Sequence, residues 1–391
     1  MRPLEGLTVV ALEQAVAAPL ATRHLADLGA RVIKIERPGV GDFARSYDTT
    51  VNGMASHFVW LNRTKESLTL NLKDPDAERI LARLLVRADV FIQNLAPGAA
   101  ARLSLGSDRL RQTYPALIIC NISGYGDSGP YRDKKAYDLL IQSEVGLLSV
   151  TGTEQEPCKA GISVADIAAG MYAYSGILTA LLCRQRTGLG TVVDVSMFDA
   201  LGEWMGYPAY YSRSGQAPVR AGASHASIAP YGPFQTSDGK AVYLGVQNER
   251  EWERFCRVVL RRSELATDAR FDSSANRVAH RGELHDAIDQ VFGHLDAVEI
   301  VQRLEAAQIA NARMNTMQEF VDHPQLADRN RWRTIQSPVG PLPALVPPAD
   351  IDGVDVTMGP IPGVGQHTED ILGELGFDRS TVATWRARGV I

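Results

Sequence analysis

The chain has 391 residues, 45% of them hydrophobic, and a formal net charge of −5. That length exceeds one typical domain and predicts two, with ample apolar content for a packed core. The acidic balance argues against nucleic acid as a partner and leaves the basic residues to act locally, on phosphates or carboxylates.

The four cysteines, Cys120, Cys158, Cys183 and Cys256, form no CxxC pair. This predicts reduced core thiols, not a disulfide framework or a zinc site. The eight histidines are scattered without an HExxH pair, which argues against a metal site. The opening MRPLEGLTVVALEQ lacks a signal-peptide apolar run. No segment reads as a membrane span, so the expectation is a cytoplasmic protein.

In chain order, residues 7–12 (LTVVAL) form a short apolar run typical of a buried strand. A loop, EQAVAAP, leads to a helix through Leu28, with Pro19 in its first turn and Gly29 after its end. Residues 31–36 (RVIKIE) are the next strand, and this β-α-β unit implies a parallel sheet. In such sheets the loops after strand ends bind ligands. The first such loop has no GxGxxG, which opposes a nicotinamide-dependent oxidoreductase. The second opens with Arg37 and ends near Arg45, and an arginine there suits a phosphate.

The alternation continues. Strands are expected at 67–72, 90–93 and 117–122, with an amphipathic helix at 75–88. Asn94 and Leu95 follow the fourth strand, with Arg102 one turn beyond, and Ser123-Gly124-Tyr125-Gly126 closes the fifth. A helical pattern opens at Lys134, Lys135, Tyr137 and Asp138 and runs to about Leu148. A strand at 191–195 and a helix at 196–211 complete the first part.

Residues 161–187 are apolar, rich in alanine and glycine, and carry one acid, Asp166. They suit a buried helix whose small residues let neighbouring backbones approach. A lone carboxylate at its start needs a reason, because burying an unpaired charge is costly. One reason is a cap, since Ser163 and Asp166 have capping-box spacing. The other is a nucleophile that attacks an activated acyl group. This window leaves both open.

A composition break at 212–229 reads as a linker. A hairpin at 230–246 with its turn at Ser237-Asp238-Gly239 follows, then helical patterns at 249–260, 277–292, 297–307 and 317–327. Residues 340–356 hold several prolines and suggest a surface path. A final helix is expected at 365–376 with Thr368 as N-cap. The domains are therefore 1–211, the linker 212–229, a small α+β domain at 230–330, and a return to the large domain at 331–391.

Nine segments in order, from LEGLTVVAL through ADLGARVIKIERPGVGDFAR, KDPD, NLAPGAAARL, SGYGDSGPY, AYDLLIQSEVGLLSVTG, VADIAAGMYAYSGILTALLCRQRTGLG and YGPFQTSDG to GQHTEDILGELG, give the chain a resemblance to the class III coenzyme A transferases. The resemblance implies an α/β fold: a Rossmann-like large domain with an inserted smaller α+β domain, in an interlinked ring-like homodimer. It implies no permanently bound cofactor, with coenzyme A as substrate and product. Its nucleophilic aspartate falls on Asp166. Its coenzyme A contacts fall on Gln14, Ala15, Arg37, Leu70, Lys73, Asn94, Leu95, Arg102 and Lys135, and a tyrosine facing the site falls on Tyr137.

The first loop departs from the formyl-CoA transferase pattern, with Gln14 and Val16 where a histidine and a glutamine stand. A glycine-only covering loop is replaced by Ala229-Pro230-Tyr231-Gly232-Pro233. The resemblance implies transfer of coenzyme A from an acyl-CoA, with succinyl-CoA expected, to a small carboxylic or dicarboxylic acid. The expected acceptors are of the itaconate, mesaconate or citramalate kind. Candidates for the acceptor's second carboxylate are Arg45, Arg213, Arg220, His225, Gln247, Asn248 and Arg250. The alternatives are an α-methylacyl-CoA racemase of the same fold and a non-catalytic acyl-CoA-binding protein. Tyr137-Asp138 in place of a His-Asp pair disfavours the racemase, because neutral tyrosine is a poor base near neutral pH.

Overall fold

The computed structural model describes residues 1–215 and 218–391. Six short strands make one parallel sheet: β1 (Thr8–Leu12), β2 (Arg31–Glu36), β3 (Lys65–Thr69), β4 (Val90–Gln93), β5 (Ile118–Ser123) and β6 (Val192–Ser196). Their order is 3-2-1-4-5-6. The central strands are apolar on both faces, and Val9, Val10, Val32, Ile33, Phe91, Ile92, Ile118 and Ile119 are buried, as a sheet covered on both sides requires. Strand order reverses between β1 and β4, which places a crevice at their carboxyl ends.

The third strand starts two residues earlier than its apolar pattern suggests. Lys65 begins it because its side chain is buried and ion-paired with Glu13, a tertiary contact that no local pattern reveals. The strand's far end is nonetheless extended, since the Leu70 N–H donates to Glu36 O at 2.8 Å.

The helices follow their caps. Helix α1 (Ala17–Asp27) carries Pro19 in its first turn, and α2 (Pro75–Leu85) starts at a proline behind the Asp74 cap. The helix expected from Lys134 to Leu148 is shorter. Helix α3 (Asp138–Glu144) stops before Gly146, whose φ of +79° breaks the run ahead of a second turn at Leu147–Val150. Helix α4 (Val164–Thr187) is the long apolar helix of the sequence, and α5 (Met197–Trp204) follows β6 with Ser196 as its cap.

By length and composition α4 could cross a membrane. In the structure Ala165, Ala168, Ala169, Gly170, Ala173 and Ile177 are buried, and the helix packs on α1, β5, β6 and α5. Its small residues act as the sequence suggests. A Cβ on Gly170 would lie 2.6 Å from the Ala17 carbonyl oxygen, so α1 and α4 approach closely only because that position is glycine. Cys183 lies exposed on this helix and Cys158 is exposed too, so only Cys120 and Cys256 are core thiols.

The chain divides into two compact units. One comprises residues 1–145, 160–205 and 325–391, and the other residues 146–159 and 206–324. Residues 146–159, expected in the large domain, thus fall with the second unit. The expected linker includes residues 216 and 217, which lie outside the described residues, and its start at 212 is the end of a helix, Gly206–Ser212.

In the second unit β7 (Tyr231–Gln235) and β8 (Ala241–Gly245) form the expected hairpin. A third strand, β9 (Ala310–Arg313), pairs antiparallel with β8. It carries Asn311 and Arg313 and no apolar signal. The core gathers Phe234, Trp252, Phe255, Phe271 and Phe292. The pattern at 317–327 is two short helices because Pro324 starts a new one.

Back in the first unit, β10 (Trp332–Ile335) and β11 (Leu342–Leu345) form an antiparallel ribbon, so the stretch 340–356 expected as a surface path contains a strand, β11. Helix α6 (Thr368–Glu374) is the expected C-terminal helix, but Thr368 does not cap it. Its hydroxyl is buried and accepts the Thr69 N–H at 3.0 Å, tying the helix to β3. A further helix, α7 (Arg379–Ala387), is capped by Asp378 and adds Val382 and Trp385 to the core.

Candidate active site

The loop after β1 lies at the switch point and is fixed from several sides. Asn94, just past β4, accepts the Gln14 N–H at 2.9 Å and donates back to the Gln14 carbonyl at 2.8 Å. This reciprocal pair bridges the two strands between which the sheet order reverses. Ala15 adopts φ +61°, a left-handed conformation rare for alanine, and its N–H donates to Asp42 Oδ1 at 3.2 Å.

Beneath this loop lies a buried ionic network. Lys34 Nζ, fully buried in β2, meets Asp42 Oδ2 at 2.8 Å and Glu13 Oε1 at 3.3 Å. Lys65 Nζ reaches the same Glu13 oxygen at 2.6 Å. Burial opposes the ionisation of Glu13, but Lys65 and Lys34 together hold its carboxyl below the usual range. Two lysines face two carboxylates, so the network is neutral as a set, which is what makes its burial tolerable. Beside it Glu36 takes Arg45 in a two-pronged pair at 2.8 and 2.8 Å, and that pairing helps draw its pKa down to about 2 against the opposing effect of burial.

The second half of the site is the start of α4. Ser163 makes no side-chain cap bond there. The capping acceptor comes from another helix: Asp138 Oδ1 takes the Ala165 N–H at 2.8 Å. Its other oxygen accepts from Gln142 Nε2 at 2.6 Å, and Gln142 Oε1 accepts the Ala160 N–H at 2.9 Å. Asp166, in the first turn, is half-buried. Burial first, and the Asp138 carboxylate second, push its pKa up to about 7, while the nearby Ala17 backbone amide pulls the other way. The helix-start position would by itself keep the carboxylate ionised; burial and Asp138 outweigh it. Tyr47 also faces this group. Its hydroxyl is pushed up to about 12, by burial first and then by Asp42, Asp166 and Tyr137.

The expected ligand contacts sort into groups. Gln14, Ala15, Asn94 and Leu95 cluster at the ends of β1 and β4, with the Leu95 N–H bound to Gln93 Oε1 at 2.7 Å. Asn94's side chain is occupied in clamping Gln14, so it shapes the loop. Arg37, Lys73, Arg102 and Lys135 are exposed, and no hydrogen bond or ion pair holds their side chains among the described residues. Leu70 has its side chain in the core, 1% exposed, so of this residue only the backbone can face a ligand. Tyr137 is 70% exposed and immediately precedes α3.

Several acceptor-carboxylate candidates are committed elsewhere. Arg45 is held by Glu36 and the Pro362 carbonyl. Arg220 donates to the Thr153 and Glu154 carbonyls. His225 accepts the Ser227 N–H and stacks on Tyr231 at 5.3 Å. Asn248 caps a helix through the Glu251 N–H. The residues missed from sequence are Tyr47, Ala17 and the Glu13–Lys34–Lys65 set. The signal for that set was present, as charges inside otherwise apolar strand segments.

A parallel sheet of this order, with an unpaired arginine directly after β2 and a half-buried carboxylate in the first turn of a long apolar helix, defines a doubly wound α/β protein. Residues 4–368 match CoA-transferase family III, and the chain belongs to that family and is a CoA-transferase. It is 33% identical to the succinyl-CoA:glutarate CoA-transferase of Mus musculus, over 100% of this chain and 91% of that protein. It is 32% identical to the succinyl-CoA–D-citramalate CoA-transferase of Chloroflexus aurantiacus, over 100% of this chain and 98% of that protein. Among solved structures, a CAIB/BAIF family protein from Brucella suis matches with a TM-score of 0.83 at 32% identity, covering 95% of this chain and 99% of that one.

Proposed function

We propose that Asp166 is the nucleophile of a transfer that moves coenzyme A from succinyl-CoA to a small dicarboxylic acid. One Asp166 carboxylate oxygen attacks the donor thioester carbonyl, the C–S bond breaks, and coenzyme A leaves as its thiolate. The thiolate then attacks the aspartyl carbonyl of the resulting anhydride. Succinate departs and an aspartyl-CoA thioester forms. The acceptor carboxylate attacks that thioester, and the thiolate, released again, attacks the acceptor's acyl carbon and frees Asp166. No redox agent is consumed and the thioester is conserved.

The observation that supports this most is the place of Asp166. It opens a helix whose Ile167 packs with Val16 of the loop at the switch point and whose Gly170 lies against the Ala17 carbonyl, in a setting from which burial partly excludes water. Backbone N–H groups at the start of α1, which packs on α4, are candidates to stabilise an oxyanion on the aspartyl carbonyl. Arg37, Lys73, Arg102 and Lys135 are the cations assigned to the phosphates of coenzyme A, and being unpaired they lose no internal partner on binding.

The donor and acceptor classes follow the names of the relatives. The interlinked homodimer belongs to the same reading. Met171, Tyr172 and Leu182 of α4 are exposed apolar groups that a second copy would cover. The test is an assay of acceptor acids (glutarate, mesaconate, citramalate, itaconate, and acetate as monocarboxylate) against succinyl-CoA, with Asp166→Ala as control. Transfer to a dicarboxylate that vanishes in the variant supports the reading. Transfer that persists in Asp166→Ala overturns it.

A further inference from the structure

We infer that Gln93 and Asn121 are positioning residues for coenzyme A: joined in one hydrogen-bonded chain, they grip both ends of the segment 95–107, which carries the free cation Arg102. The inference rests on the reading of Arg102 as a coenzyme A contact for its functional meaning, and on the hydrogen bonds of the structure for its physical content.

The chain of side chains crosses three neighbouring strands. Gln93 of β4 stands in register with Asn121 of β5, and Asn121 with Asp194 of β6, so all three point to one face of the sheet. Gln93 Nε2 donates to Asn121 Oδ1 at 2.9 Å. Asn121 Nδ2 has two hydrogens and uses both, on Asp194 Oδ1 at 2.8 Å and on Ser107 Oγ at 2.9 Å. Gln93 Oε1 accepts the Leu95 N–H at 2.7 Å. Leu95 is thus the near grip, and Ser107, which opens the helix Ser107–Thr113, is the far one.

A carboxylate only accepts, so Asp194 sets the direction of every link. Asn121 must turn its NH2 group to Asp194, which leaves its oxygen for Gln93. Gln93 must then present its own NH2 to Asn121, which turns its oxygen to the Leu95 N–H. A flip of either amide would set oxygen against oxygen and N–H against N–H. Gln93 is 9% exposed, which leaves little room for water to replace these bonds.

Between the grips the backbone passes Gly98, at φ +71°, and enters the short helix Ala99–Arg102. Leu95, Ala100 and Leu103 pack against the core of the sheet, but apolar contacts are non-directional. The hydrogen bonds at the two ends fix where this backbone lies. Arg102 has no hydrogen bond or ion pair of its own among the described residues, so the backbone beneath it sets its place. Its guanidinium folds back over the loop, where a Cβ on Gly98 would lie 2.9 Å from Nη1. Asn94, between Gln93 and Leu95, clamps Gln14 and extends the line of contacts to β1.

The probe is coenzyme A, titrated by calorimetry into the folded full-length protein, and the variants form a double-mutant cycle. Gln93→Met removes the acceptor of the Leu95 N–H and the donor to Asn121 at similar volume. It should raise the Kd for coenzyme A about 4–10-fold, the upper part of the range for losing one phosphate contact. In the Arg102→Ala background the same change should add less than about twofold, because the group it positions is gone. Amide exchange across residues 94–107 should rise about tenfold in Gln93→Met, as release of a hydrogen-bonded segment requires. Unchanged exchange, an unmoved Kd in the folded variant, or effects that multiply in the double variant overturn the inference.

If Gln93→Met does not fold, Ser107→Ala enters the same cycle. It removes the far grip alone, at a half-buried position, and the same outcomes decide. A Kd that Arg102→Ala itself leaves unmoved is the separate failure of the coenzyme A reading, and exchange across residues 94–107 still decides whether the side-chain amides hold the segment.

Discussion

Asp138 and Asp166 meet at the start of one helix. Asp138 supplies the cap of α4 from a different helix by accepting the Ala165 N–H at 2.8 Å, while Asp166 projects from the first turn and is raised toward neutrality by burial and by that same Asp138. One carboxylate thus builds the helix end and makes its neighbour harder to ionise. If the ionised form of Asp166 attacks, activity must rise with pH through about 7.

Asp138→Asn should move this acid limb down by about half to one pH unit, because it removes the neighbouring charge. The amide oxygen can still cap Ala165, but Gln142 Nε2 then faces an amide nitrogen in place of its acceptor. A stability loss of about 1 kcal/mol accompanies the shift. A pH profile of kcat/KM with thermal unfolding checks both.

Asp166→Asn should abolish transfer and stabilise the fold at alkaline pH. A carboxyl whose folded pKa lies above its unfolded value favours the fold in its protonated form. That benefit is complete below about 4 and is lost as pH rises through about 7. The wild type therefore carries an unfavourable ionised group at pH 8.5 that the variant lacks. After allowance for solvent screening the difference is roughly 1–2 kcal/mol at pH 8.5 and smaller at pH 5.5. Urea unfolding at the two pH values reads it.

Gly170→Ala tests the packing behind the nucleophile. The added methyl meets the Ala17 carbonyl at 2.6 Å and Leu20 at 3.1 Å. It should cost about 1–3 kcal/mol and, by displacing Ala17, lower kcat more than it raises KM. Gly202→Ala, where nothing stands within 4 Å of the added carbon, is the matched control and should leave kcat unchanged.

Replacing Arg37, Lys73, Arg102 or Lys135 singly with alanine should raise KM for the acyl-CoA about 2–10-fold, with kcat and melting temperature little changed. These side chains are exposed and support nothing internal. Raising the salt concentration should reduce the difference between wild type and variants.

The sheet was legible because its strands are apolar on both faces and alternate with capped helices. Strands β1, β2 and β4 to β6 fall where their runs of valine, isoleucine and leucine predict. What was not legible depends on partners distant in sequence. Lys65 opens β3 because Glu13 awaits it 52 residues away. Strand β9 exists because β8 offers an edge. The cap of α4 comes from Asp138, 27 residues upstream of the N–H it accepts, while the local candidate Ser163 is idle. Asp166 was visible as a lone acid in an apolar helix, but its raised proton affinity follows from its burial in the fold and then from Asp138, a neighbour that sequence spacing does not bring near.

The central claim is covalent chemistry at Asp166, and trapping tests it most directly. The protein is incubated with succinyl-CoA, quenched with hydroxylamine, digested, and examined by mass spectrometry. The account predicts an aspartyl hydroxamate at Asp166 that requires the acyl-CoA and is absent without it. Modification at a different carboxylate, or transfer that continues in Asp166→Ala with no trapped species, would contradict it.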